Sequence, residues 1–192
     1  MRFRLPVEVS ATLLAASTVF VGMAGLPAWG IFLGWAATSL CGGPTGRVVA
    51  VLWRTLPLGA VFAVATAFLQ GWLAGVFGPD VPVWASLLLA ILVMNPGMLL
   101  LGRIRALSLI PGMFIGFSTV LATQAGHFGP VPGNIMWSAA CGLAMNLVGL
   151  GVAWAATAMS GGRPATAPAA PASPTALHAR PYGPQESTAS SR

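Results

Sequence analysis

Residues 110–126 read IPGMFIGFSTVLATQAG. The stretch is apolar enough to cross a bilayer, yet it carries three glycines, a serine, two threonines and a glutamine. A helix that only had to sit in lipid has no need of so many small and polar groups. A second stretch shares the design. Gly30-Ile31-Phe32-Leu33-Gly34-Trp35 and Gly112-Met113-Phe114-Ile115-Gly116-Phe117 both run glycine, aliphatic, Phe, aliphatic, glycine, aromatic, at a constant offset of 82 residues. Each follows a proline (Pro27, Pro111) and runs on into small and polar residues. Each ends in glycine, at Gly42-Gly43 and at Gly126.

The rest of the chain sets these two stretches in a membrane. Of 192 residues, 56% are hydrophobic and only 6% charged, where a soluble domain is roughly a quarter charged. Apolar runs separated by short breaks mark six spans. They cover about Val7–Gly25, Ala28–Cys41, Thr55–Phe77, Pro82–Leu101, Leu107–Ala125 and Asn134–Met159. The N-terminus has the basic start and apolar run of a signal peptide, but it lacks a clear cleavage site and is expected to stay as the first span. From Gly161 the sequence turns to Pro, Ala, Ser and Thr, too poor in large apolar groups to offset its conformational entropy. The expected organisation is a transmembrane domain over 1–160 and a disordered cytoplasmic tail over 161–192.

The net charge of +6 comes from arginine alone, since there is no lysine. With the N-terminus in the cytoplasm, six crossings put Arg2, Arg4, Arg47, Arg54, Arg103, Arg105 and Arg163 on the cytoplasmic side. That satisfies the positive-inside rule. Omitting the second span would scatter them to both sides, so this span is expected to cross despite having only about 14 residues, roughly 21 Å of helix. Both termini are then cytoplasmic. Single arginines at span ends are topology signals, and no nucleic-acid partner is expected. Arg54 is ambiguous: it snorkels to the interface or draws anions to a pore mouth.

Two copies of three spans, about 7–77 and 82–159, would enter the membrane from opposite sides. This is the inverted repeat used by many transporters and channels. Outside spans 2 and 5 the match is loose, with Trp53 and Gly59 set against Trp137 and Gly142. Glycines four apart, Gly30/Gly34 and Gly112/Gly116, leave a flat strip for close helix packing. The polar groups inside the spans are candidates for a solute path: Thr38, Ser39, Cys41, Asn95, Ser118, Thr119, Thr123, Gln124 and Asn146. Each Ser or Thr has the plainer alternative of bonding back to its own helix, and Asn95 and Asn146 that of joining helices. Asn95-Pro96-Gly97 is expected to kink or unwind span 4 and free carbonyls. Cys41 and Cys141 read as small buried hydrophobes, Cys41 with the alternative of lining a pore. No carboxylate lies deep in a span, which argues against proton or sodium coupling.

The runs Gly30–Trp35 with Cys41-Gly42-Gly43, and Pro111–Gly116 with Ser118-Thr119, resemble the YcdZ-like inner-membrane proteins, domain-of-unknown-function family 1097. The likeness spans roughly residues 20–160. It implies a small multi-span bacterial inner-membrane protein and supplies no substrate; the Pro/Ala-rich tail departs from it.

The sequence therefore predicts an all-α integral membrane protein of six transmembrane helices in a 3+3 inverted repeat. The expected function is a channel or facilitator for a small solute. The alternative is a membrane subunit or scaffold whose glycine faces bind partner helices. No Ser/His/acid set, metal-spaced His/Cys cluster or phosphate loop occurs, so no enzyme, metal or cofactor is expected. The expected partners are the lipid bilayer and a small polar or neutral solute, with a homo-oligomer left open.

Overall fold

The computed structural model describes residues 7–160. The tail expected over 161–192, and the arginines at 2, 4 and 163, lie outside the described residues. Six α-helices follow one another: α1 Val7–Met23, α2 Trp29–Leu40, α3 Gly46–Phe77, α4 Val83–Leu101, α5 Ile110–Ala125 and α6 Ile135–Met159. A short 3₁₀ turn, Arg105–Leu107, joins α4 to α5. No strand occurs among the described residues. Helices α3, α4 and α6 are long and apolar enough to cross a membrane, and α1, α2 and α5 are shorter apolar helices.

Local chemistry sets the ends. Gly42 and Gly43 both take positive φ, 87° and 108°, a conformation that costs a residue with a β-carbon; they stop α2. Thr45 then caps α3, its side chain accepting from the Val48 N–H at 3.3 Å. Asn134 caps α6, accepting from Met136 and Trp137 N–H at 3.0 and 3.2 Å. Side-chain oxygens here satisfy donors that the first helical turn leaves unpaired.

Two expectations change. The third helix begins at Gly46 rather than Thr55, because the Thr45 cap starts it nine residues earlier. Its 32 residues span about 48 Å, well beyond a hydrocarbon core of about 30 Å, so Arg47 and Arg54 ride on an extended first part and both are exposed. Span 4 does not unwind at Asn95-Pro96-Gly97: α4 is helical throughout. Proline removes one N–H, and in apolar surroundings the remaining backbone groups have no other partners to leave the helix for.

The packing crosses the two halves of the chain. α5 and α4 lie against α3, while α2 and α1 lie against α6, and α3 meets α6 in the middle. α3 and α6 run antiparallel: Val49 and Trp53 share a groove with Leu150 and Trp154, and Val61 and Val64 share another with Met136 and Ala139.

Two helix crossings depend on bare backbone. A β-carbon on Gly34 of α2 would strike the Asn146 carbonyl of α6, and one on Gly149 would strike the Ile31 carbonyl. On the other side, a β-carbon on Gly116 of α5 would strike the Leu56 carbonyl of α3, and one on Gly59 would strike the Met113 carbonyl. Every position in the first crossing has its counterpart in the second. The offset is 82 residues between α2 and α5, and 90 between α3 and α6. The buried faces follow the same offsets. Gly30, Ile31, Gly34, Ala37 and Thr38 correspond to Gly112, Met113, Gly116, Thr119 and Val120. Leu52, Leu56, Gly59, Ala60, Ala63 and Thr66 correspond to Gly142, Asn146, Gly149, Leu150, Ala153 and Ala156. Gly59 thus matches Gly149, not the Gly142 of the sequence comparison, because the likeness lies on the buried face alone.

Candidate functional site

The helices bring part of the expected polar set together. Thr119, Thr123 and Asn146 are each fully buried where α2, α5 and α6 converge. Asn146 Nδ2 donates to Thr119 Oγ1 at 3.1 Å, and Thr119 donates to its own-helix carbonyl of Ile115 at 2.7 Å. The Asn146 Oδ1 lies 3.2 Å from the same hydroxyl, which has only one proton to give. Thr123 donates to Thr119 O at 2.7 Å. Gly142 makes room for this seam: the Thr119 methyl and the Thr123 hydroxyl sit 3.0 and 3.2 Å from where its β-carbon would be.

One turn outward, Gln124 works as a clasp. Its Nε2 donates to Gly133 O at 2.6 Å, and its Oε1 accepts from Ser138 at 2.8 Å. The clasp ties the end of α5 to the following loop and to the start of α6. Ser138 is fully buried and was not singled out from sequence. Its signal is its register, four residues before Gly142 and eight before Asn146, on the face of α6 that carries small residues.

The remaining expected residues fall elsewhere. Thr38 is buried but bonds back to Trp35 O at 2.7 Å, and Ser39 is exposed and bonds the same carbonyl at 3.3 Å. Ser118 is exposed, on the face of α5 opposite Gly116 and a quarter-turn from the buried Thr119. Asn95 sits on α4, which packs on α3, away from the Thr119–Asn146 pair; its buried Oδ1 has no hydrogen-bond partner. α4 stays helical on both sides of Pro96, and because proline has no N–H only the Leu92 carbonyl one turn back loses its helix donor. Thr119, Thr123 and Asn146 thus form a buried, hydrogen-bonded joint between α5 and α6.

Gly30, Gly34, Gly112 and Gly116 are all buried within the chain. A β-carbon on any of them would press on a neighbouring helix of the same chain. Cys41 follows the last residue of α2. It is half-buried and lines a mostly enclosed cavity of about 60 Å³ between α2, α3 and α5. Cys141 is half-buried on α6, and both thiols are free.

Among the described residues no three His, Cys, Asp or Glu side chains gather closely enough to hold a metal. The four arginines at 47, 54, 103 and 105 are exposed.

No curated protein and no solved structure matches this chain. A family model described as "Protein of unknown function (DUF1097)" matches residues 8–161, which takes in all six helices but for the first residue of α1, and the chain belongs to that family.

Proposed function

We propose that the chain crosses the bacterial inner membrane six times as two inverted three-helix repeats, and forms a passive pathway for a small uncharged solute. The observation that carries this reading is the duplicated crossing. Gly34 against Gly149 and Gly116 against Gly59 are made by corresponding positions, and the short helices α2 and α5 hold matching places. Short helices in matching places of two halves are the usual marker of a membrane transport site.

The ends of the helices support the topology. The Gly129 N–H donates to Gly25 O at 3.0 Å, tying the α1–α2 turn to the α5–α6 turn; six crossings put both outside. The Arg105–Leu107 turn packs on α3, and Leu109 meets Leu52 in one cavity. Arg47, Arg54, Arg103 and Arg105 thus share the other end, as a cytoplasmic face requires. Exposed tryptophans form a belt at each end: Trp53 and Trp154 at the arginine end, and Trp72, Trp84 and Trp137 at the other.

A passive role fits the absence of charged side chains along the described α-helices beyond the arginine-bearing start of α3 and Glu8 near the start of α1. The chain acts without catalysing a reaction, and its surroundings are lipid. Reconstituted protein is the test: solute-specific flux above that of empty liposomes supports the reading, and flux equal to theirs across a broad panel of small neutral solutes sinks it.

A further inference from the structure

We infer that the cavity between α2, α3 and α5 is a binding site for a small, uncharged, mainly apolar solute. This deepens the transport reading and rests on it for its place in a pathway. Ala37, Cys41, Leu52, Leu109, Gly112 and Ile115 form most of the wall. The wall is nearly all carbon, with one thiol and no charged side chain.

The corresponding place in the other half has no such space. By the offsets of the buried faces, Ala37, Cys41 and Leu52 correspond to Thr119, Thr123 and Gly142. There, the absence of a side chain on Gly142 lets Thr119 and Thr123 close directly on α6. Here, a fully buried Leu52 stands in the glycine's place and acts as a spacer between α3 and the end of α2. α5 lies along α6 over a much longer stretch than α2 lies along α3. One half is sealed by hydrogen bonds, and its twin is held open by a leucine. The difference is written in the sequence and is a fixed feature of the fold.

Size and chemistry select the ligand. An apolar cavity of about 150 Å³ stays dry and takes benzene or xenon; a space of about 60 Å³ takes something smaller, of a few heavy atoms. A water needs two to four polar partners, which this wall does not offer. An ion would lose its hydration with no counter-charge in reach. A dissolved gas or a short neutral molecule fits.

Cys41 reports on the cavity directly. In full-length protein in lipid, with Cys141→Ala leaving one thiol, two reagents are compared from the arginine-bearing side. Methyl methanethiosulfonate is small and uncharged; its sulfonatoethyl analogue is larger and anionic. Each gives a mixed disulfide as the Cys41 thiolate displaces methanesulfinate. The uncharged reagent should react at least tenfold faster, after correction for intrinsic reactivity. Filling the space with Ala37→Val, or from the opposite wall with Ile115→Phe, should slow it at least fivefold without lowering the melting temperature. Equal rates for the two reagents, no reaction with either, or rates untouched by both filled variants would overturn the site. Flux separates the two readings. A solute flux that both filled variants leave unchanged overturns the cavity and keeps transport. Suppressed labelling with no flux for any solute keeps the cavity and removes transport.

Discussion

Gly34 of α2 and Gly149 of α6 meet backbone to backbone: a β-carbon on Gly149 would lie 3.0 Å from the Gly34 α-carbon. Gly116 and Gly59 repeat this on the other side. Such contacts suit a membrane interior, where helices gain from close van der Waals approach more than from hydrophobic burial.

The first prediction follows from that geometry. Gly34→Ala and Gly116→Ala each push a methyl into a facing carbonyl, and the backbone has to move. Each should cost about 1–3 kcal/mol and lower the melting temperature in detergent. Gly71→Ala and Gly75→Ala are the controls, since a β-carbon there meets nothing within 4 Å. They should be neutral, or stabilising by about 0.5–1 kcal/mol, because alanine suits a helix interior better. Equal losses at all four positions would remove the crossings as the cause.

How much of this was legible depends on which face carried the signal. The α2/α5 likeness showed in the sequence because glycines, phenylalanines and a leading proline recur along the whole stretch. The α3/α6 likeness did not. Of its buried pairs only Gly59/Gly149 and Ala63/Ala153 keep the same residue, while Leu52/Gly142 and Leu56/Asn146 differ in size or polarity. Pattern reading cannot see a correspondence that lives in burial. The polar residues split for a similar reason. Ser118 and Thr119 are neighbours in sequence and stand about 100° apart on a helix, so one is exposed and the other buried. The expected third span and α3 differ at their start because the span is bounded by its arginines, whereas the helix is started by the Thr45 cap.

The Thr119–Asn146 pair should couple. In a double-mutant cycle of Thr119→Val and Asn146→Ala, the interaction energy should fall at about 0.6–1.7 kcal/mol, the range for hydrogen bonds between membrane helices. Thr119 keeps its bond partner within its own helix, which is why the value is modest. The measurement is equilibrium unfolding of the four proteins, and additive losses would show that the pair contributes no direct coupling.

Gln124 should matter more to the loop than to α5. Gln124→Met keeps the length of the side chain but loses both the Gly133 and Ser138 bonds. It should speed hydrogen exchange across residues 127–134 and cost about 1–3 kcal/mol. Gln124→Glu keeps the acceptor for Ser138 but sets an oxygen against the Gly133 carbonyl, so it should not rescue the loop. Recovery by glutamate would show that the donor half of the clasp is dispensable.

Topology can be read independently of any solute. A reporter fused after Gly78 or after Gly129 should signal outside, and one fused after Gly43 or after Gly102 should signal cytoplasm. The pair that decides is Gly43 with Gly129. α2 has 12 residues, about 18 Å of helix, so it is the helix most open to being counted out. If α2 did not cross, the α1–α2 turn and the Gly43 region would lie on the same side. Since Gly25 and Gly129 are hydrogen-bonded to each other, a matching signal from fusions after Gly43 and Gly129 would then be forced. Opposite signals require α2 to cross, and with it the second half to enter the membrane upside down relative to the first.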